Sequence, residues 1–126
     1  MQKTFVYIFF LFILLFNSCD AKHLYLEKDY QNIWCTKNNG ITEFRLPDCT
    51  RIDCLTKTHA IEFDFAEKWA ESIGQALYYS YMTNKKPGIV LIIENPQKEE
   101  IYLKRLKTVC CPLGIDVWIM YNKDIY

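Results

Sequence analysis

Residues 89–93 form an unbroken aliphatic run, Ile-Val-Leu-Ile-Ile, which most constrains how this chain can fold. An apolar run of this length, bounded by turn-forming residues and rich in β-branched side chains, is typical of a strand buried on both faces of a sheet. Helical patterns lie on both sides of it, over residues 66–82 and 96–111. A buried strand between two helices predicts a layered α/β fold.

The remaining patterns complete the predicted fold. Leu26, Tyr30, Ile33 and Trp34 recur at helical spacing, which predicts a first helix over residues 24–37. Strands are predicted over residues 41–46, 51–55, 58–65 and 115–121. The order is therefore α-β-β-β-α-β-α-β, which predicts a three-layer sandwich with a mixed central sheet and helices on both faces. A chain of 126 residues allows one such domain.

The N-terminus has the pattern of an export signal. Lys3 precedes an apolar run over residues 5–16, which spans only about 18 Å as a helix, against about 30 Å for a bilayer core. Two processing outcomes are open: a signal peptide over residues 1–21, or a lipoprotein signal over residues 1–18 that leaves Cys19 as the lipidated first residue. Both predict a bacterial domain over residues 22–126 that is secreted, periplasmic or lipid-anchored.

The charge balance and the cysteines narrow the possible functions. Lys plus Arg and Asp plus Glu each total 15, so any contact with nucleic acid must come from a local basic patch. Export permits disulfides, and Cys35 is expected to pair with Cys54 or with Cys49. Cys110 and Cys111 are neighbours, which rarely bridge each other, and no cysteine or histidine spacing indicates a zinc site.

Acidic residues on two neighbouring predicted strands are the strongest candidates for chemistry. Asp53 lies on the second strand, while Glu62 and Asp64 share one face of the third. If these carboxylates converge, they offer the oxygen ligands that Mg²⁺ prefers; otherwise they form a solvated acidic face. On a wheel of the following helix, Lys68, Gln75 and Tyr79 form a polar line that we expect to face the same cleft.

These motifs resemble the PD-(D/E)XK nuclease superfamily, which has a restriction-endonuclease-like fold. The resemblance consists of Asp53, Glu62-Phe63-Asp64 and the Gln-x-x-x-Tyr element from Gln75 to Tyr79, in the order α-β-β-β-α-β over about residues 24–121. The Gln-x-x-x-Tyr element is similar to the RecB-like branch. More narrowly, residues 51–77 look like small uncharacterised bacterial proteins that are assigned to this fold.

The resemblance implies metal-dependent hydrolysis of a phosphodiester in DNA, with Mg²⁺ or Mn²⁺ as cofactor. It makes Asp53 and Glu62 the metal ligands and Glu27 an additional helical acid. Asp64 stands where the family has a lysine, so Lys68 is expected to supply that charge, and Asp64 joins the catalytic set. The residues expected to contact the substrate are Gln75, Tyr79, Arg51 and His59, with Lys57, Lys85 and Lys86 as further phosphate contacts.

Two functions of different classes follow. The first is an exported, Mg²⁺-dependent nuclease that acts on DNA. The second is an exported or lipid-anchored binding domain that keeps the fold without catalysis, which the replaced lysine and the balanced charge favour.

Overall fold

The structure is a computed structural model that describes residues 22–126, so the predicted leader and Cys19 lie outside the described residues. Within this range the three helices are α1 (Glu27–Lys37), α2 (Trp69–Thr83) and α3 (Pro96–Leu113). The five strands are β1 (Ile41–Arg45), β2 (Arg51–Leu55), β3 (His59–Phe65), β4 (Lys86–Ile93) and β5 (Asp116–Tyr121). Short 3-10 helices follow β3 and β5, at Ala66–Lys68 and Asn122–Ile125. The predicted order of helices and strands is confirmed.

The five strands form one mixed sheet in the order β1-β2-β3-β4-β5. β1, β2 and β3 are antiparallel, whereas β3, β4 and β5 run parallel to one another. β4 begins three residues before the predicted aliphatic run, because Lys86 pairs with His59 at the start of β3.

Helices cover both faces of the sheet, as predicted for a layered α/β fold. α1 packs on one face around Tyr30, Phe63 and Val90. α2 and α3 pack on the other face, around Ala76, Leu91 and Leu106. β4 contributes fully buried residues to both clusters, which is why its sequence is apolar without alternation. None of the helices within residues 22–126 is both long and apolar enough to cross a membrane.

The first helix begins later than its apolar pattern suggests. The Leu26 amide donates a hydrogen bond to Asp29 Oδ2 at 3.0 Å, so Leu26 caps the N-terminus of α1 and the helix begins at Glu27. The preceding chain is held instead by Glu94, which accepts from the Leu24 amide at 3.0 Å and from the Tyr30 hydroxyl at 2.9 Å. This segment therefore closes over the end of β4 rather than extending α1.

A disulfide joins α1 to the sheet. Cys35 at the end of α1 is bonded to Cys54 on β2, which confirms one of the two predicted pairings. Gly40 packs against this bond, since a Cβ there would lie 2.5 Å and 2.6 Å from the two sulfur atoms. The disulfide therefore fixes where α1 sits along β2.

Candidate functional site

One row of the sheet carries an acidic residue on each of three neighbouring strands. The β1–β2 register places Glu43 opposite Asp53. The β2–β3 register pairs Cys54 with Ile61, which places Glu62 on the other side of Asp53. Neither of these two pairs is itself a ladder pair, so the sheet is irregular at this acidic row (Glu43, Asp53 and Glu62).

The backbone pairing between β2 and β3 ends at this row. Asp53 Oδ2 accepts a hydrogen bond from the Phe63 amide at 2.8 Å, and Glu62 Oε1 accepts one from the Asp53 amide at 3.4 Å. Side-chain carboxylates thus replace the backbone partners that a regular ladder would supply. Glu43 also departs from strand geometry, with φ of 55°, a left-handed conformation that costs free energy for a non-glycine residue.

Two further carboxylates surround the acidic row. Asp64 lies two residues beyond Glu62 on the same face of β3, and the two are only 6% and 3% exposed. The charge of Glu27, in the first turn of α1, contributes to raising the pKa values of Asp53, Glu62 and Asp64, and its Oε1 accepts a hydrogen bond from Gln31 Nε2 at 3.1 Å. Helix and sheet therefore bring together four of the sequence-predicted site residues: Glu27, Asp53, Glu62 and Asp64.

The carboxylates of this group hold their protons unusually strongly. Burial, followed by the charge of Asp53, raises the pKa of Glu62 to about 9. Burial also raises the pKa of Asp53 to about 7, although the hydrogen bond from the Phe63 amide acts in the opposite direction. The pKa of Asp64 rises to about 7, through burial and then the charge of Glu27. Such a group is stabilised by bound protons or by a bound cation.

Lys68 acts electrostatically on two of these carboxylates. It lies in the 3-10 helix that follows β3, and its charge lowers the pKa values of both Asp64 and Glu27, opposing the larger effect of burial. The sequence analysis expected a lysine from this position to compensate for the one that Asp64 replaces. Its place in the structure is consistent with that role.

The acidic row offers carboxylate oxygens, which are the type of ligand that hard divalent cations prefer. No three His, Cys, Asp or Glu side chains among residues 22–126 are placed so that they could hold a metal ion by themselves. Mg²⁺ commonly uses one or two carboxylates, keeps several waters and completes its shell with substrate phosphate. Asp53 and Glu62 are carboxylates on adjacent strands, and the buried amide oxygen of Gln31, whose Nε2 donates to Glu27, has no hydrogen-bond donor among the described residues.

The predicted polar line on the second helix does not form one surface. Tyr79 is buried beneath the β1–β2 hairpin, where it packs with Ile52. Burial raises the pKa of the Tyr79 hydroxyl, and the charge of Glu62 raises it further. Gln75 is exposed on α2. Lys68 belongs to the preceding 3-10 helix, so its position does not follow the rotation of α2, whereas Gln75 and Tyr79 both lie within α2. Tyr79 thus lies beside the acidic group, and Gln75 points to solvent.

The other predicted substrate contacts lie at different places. Arg51 forms an ion pair with Glu43 at 2.8 Å and lowers the pKa of Asp53, so it borders the acidic row. His59 projects from the opposite face of the sheet, where its Nε2 lies 2.8 Å from Asp116 Oδ2 and its ring packs against Trp118. The fold separates His59 from the acidic row.

Glu43 and Gln31 were missed by the sequence analysis, although both had a detectable signal. Counting back from the turn between the first two strands places Glu43 opposite Asp53. Gln31 lies four residues after Glu27 and four before Cys35, so the three share one face of α1.

The chain gives no match to family models, to curated proteins or to solved structures. A functional assignment therefore has to follow from the chemistry of its own residues.

Proposed function

We propose that this protein is a divalent-cation-dependent phosphodiesterase, a nuclease acting on DNA with a restriction-endonuclease-like fold of the PD-(D/E)XK type. The observation that carries the proposal is the interrupted pairing of β2 and β3, where Asp53 and Glu62 take the place of ladder hydrogen bonds. A sheet that gives up backbone pairing to hold two buried acids retains them at a cost to its stability. Such a cost is typical of a functional site.

The topology supports the same proposal. The family resemblance implies metal-binding acids on two adjacent strands of an α-β-β-β-α-β unit, and Asp53 and Glu62 occupy neighbouring strands β2 and β3. The resemblance also implies an acid on the first helix. Glu27 lies there, and its charge contributes to raising the pKa values of Asp53 and Glu62. This arrangement of acids supports the proposal.

The chain's own residues have distinct roles in this proposal. Asp53 and Glu62 would hold a Mg²⁺ or Mn²⁺ ion, which supplies Lewis acidity to the scissile phosphate and lowers the pKa of a coordinated water. Lys68, exposed at the edge of the acidic group, would stabilise negative charge that develops on the phosphate. Arg51 would contact a neighbouring phosphate, and buried Tyr79 would support the Glu62 side of the site.

The direct test is metal-dependent cleavage by the purified protein. Supercoiled plasmid, end-labelled linear DNA and RNA are incubated with Mg²⁺ or Mn²⁺, and with EDTA as the metal-free arm. We expect DNA cleavage that EDTA abolishes and that Asp53→Asn and Glu62→Gln each reduce by at least about 100-fold. The control is Glu100→Gln, which removes an exposed carboxylate of α3 and should leave cleavage unchanged. Cleavage that persists in both site variants refutes the proposal.

The alternative of a binding domain without catalysis has its own supporting observation. A groove of about 220 Å³ on the opposite face of the sheet is lined by Trp34, Trp118, His59 and Lys57, among others. Aromatic side chains beside hydrogen-bonding groups can hold a ligand without any metal. Isothermal titration with Mn²⁺ separates the two candidates, since a protein that binds no divalent ion even in the presence of DNA cannot be the proposed nuclease.

We also propose that the protein works outside the bacterial cytosol, either secreted, periplasmic or tethered through a lipidated Cys19. The Cys35–Cys54 disulfide supports an oxidising location, because such bonds persist mainly in exported proteins. Fractionation of expressing cells tests this, with Cys19→Ser as the variant that would release a lipid-anchored form.

A further inference from the structure

Gln31 has a buried carbonyl oxygen for which the described part of the chain offers no donor. Its side chain is 3% exposed, and Nε2 donates to Glu27 Oε1 at 3.1 Å, whereas Oε1 accepts nothing. Burying a carbonyl oxygen without a donor costs free energy, so a side chain in this state calls for a physical explanation.

The position of Gln31 is set by the disulfide. Glu27, Gln31 and Cys35 follow one another at four-residue intervals along one face of α1, and α1 packs on β1, β2 and β3. Cys35 is bonded to Cys54, which is adjacent to Asp53 in β2. The turn of α1 that carries Gln31 therefore lies between the disulfide and the carboxylate of Glu27.

The chemistry around Gln31 indicates what would satisfy its oxygen. The functional group that Gln31 contacts is the carboxylate of Glu27, which offers only acceptors once it is ionised and whose charge acts in turn on Asp53 and Glu62. A carbonyl oxygen among such acceptors needs a partner that brings a donor and tolerates negative surroundings. A water molecule on a divalent cation meets both needs, since the metal draws electron density from its bound waters and strengthens their O–H groups as donors.

We propose that Gln31 completes the cation site by accepting a hydrogen bond, through Oε1, from the hydration shell of the divalent ion. This inference rests on the proposed function, since it requires an ion between Asp53 and Glu62. Gln31 acts through a bound water and through Glu27, so it is a positioning residue, and Nε2 fixes the orientation of the Glu27 carboxylate. Such outer-shell partners typically contribute 10- to 100-fold to metal affinity.

Isothermal titration with Mn²⁺ tests the affinity directly. Gln31→Met keeps the length of the side chain and removes both polar atoms, and it should weaken Mn²⁺ binding by about 10- to 100-fold. Asn32→Ala, at the next and exposed position of α1, is the matched control and should bind as the parent protein does. Unchanged affinity in Gln31→Met, while Asp53→Asn abolishes binding, overturns the role of Gln31 and leaves the cation site standing. A parent protein that binds no Mn²⁺ overturns both.

NMR of the unsubstituted protein gives a second answer that does not depend on whether the variant folds. Titration with Mg²⁺ should shift the side-chain amide signals of Gln31, because polarising its carbonyl changes the electron density on Nε2. The signals of Gln97, exposed on α3, should remain in place. A Gln31 signal that does not move when Mg²⁺ has saturated the protein contradicts the inference.

Discussion

Replacing Glu62 with glutamine should stabilise the metal-free protein, although it removes a residue that we place at the centre of the site. Glu62 is 3% exposed and lies next to Asp53, and these surroundings raise its pKa to about 9 from an ordinary value of 4.5. Near neutral pH the folded protein therefore binds a proton at Glu62, which the unfolded chain releases. Glutamine resembles the protonated acid, and its amide oxygen can still accept from the Asp53 amide.

The magnitude follows from the shift in pKa and from the pH. A carboxyl group whose pKa is higher in the folded than in the unfolded protein lowers the free energy of unfolding. This penalty is absent below the unfolded pKa of 4.5. It grows as the pH rises through the window up to a pKa of about 9 and is constant above it. At neutral pH the penalty reaches about 3 kcal/mol as an upper value, equivalent to roughly 10 °C or more in Tm for a domain of this size.

Urea denaturation in EDTA at about pH 4, 7 and 9 measures this effect. The difference in unfolding free energy between Glu62→Gln and the parent should be near zero at the lowest pH and should increase through the window. Glu100→Gln, on the exposed surface of α3, should show no comparable pH-dependent gain. A Glu62→Gln variant that is less stable than the parent at neutral pH, or a gain that does not change with pH, would refute the reasoning.

Two further predictions concern the glycines and the free cysteines. Gly40→Ala should destabilise the protein by about 1–3 kcal/mol, because the added Cβ would collide with the disulfide. Gly74→Ala on α2 should stabilise it by about 0.5–1 kcal/mol, because a Cβ there would meet no atom within 4 Å. Thermal denaturation compares the two variants, and equal Tm values would contradict the prediction. Residues 22–126 contain three free thiols, of which Cys49 and Cys111 are exposed and should react rapidly with a thiol reagent at mildly alkaline pH. Cys110 is buried, which raises its pKa to about 11, so it should react only after denaturation. Three thiols that react equally fast would disprove this.

The order of helices and strands could be predicted because each element has its own local pattern. The aliphatic run in β4 is continuous because both faces of that strand are buried, and Pro96 and Gly114 mark the ends of α3. The boundaries were less predictable where distant residues decide them. α1 begins at Glu27 because the chain before it is held by Glu94, a residue far away in the sequence.

The candidate site could be predicted only in part, since its geometry depends on strand register and on where helical rotation begins. Asp53 and Glu62 were evident as acids on neighbouring strands, but the interruption of the ladder between them depends on side-chain to backbone hydrogen bonds. Lys68 was placed on one helical wheel with Gln75 and Tyr79 on the assumption of a continuous helix, whereas it belongs to the 3-10 helix at Ala66–Lys68. Local periodicity cannot show such a change in helical geometry.

The stabilising and destabilising features of this fold lie unusually close together. Cys54 forms the disulfide to α1, and the next residue back along β2 is Asp53, where regular pairing with β3 stops. The disulfide at that position holds α1 against β2, whereas the buried carboxylates beside it oppose close packing of the helix and the strand. The disulfide therefore holds α1, which carries Glu27 and Gln31, against β2 at the point where regular pairing of β2 with β3 ends. A reduced protein should accordingly lose the proposed cation affinity before it loses its helical content.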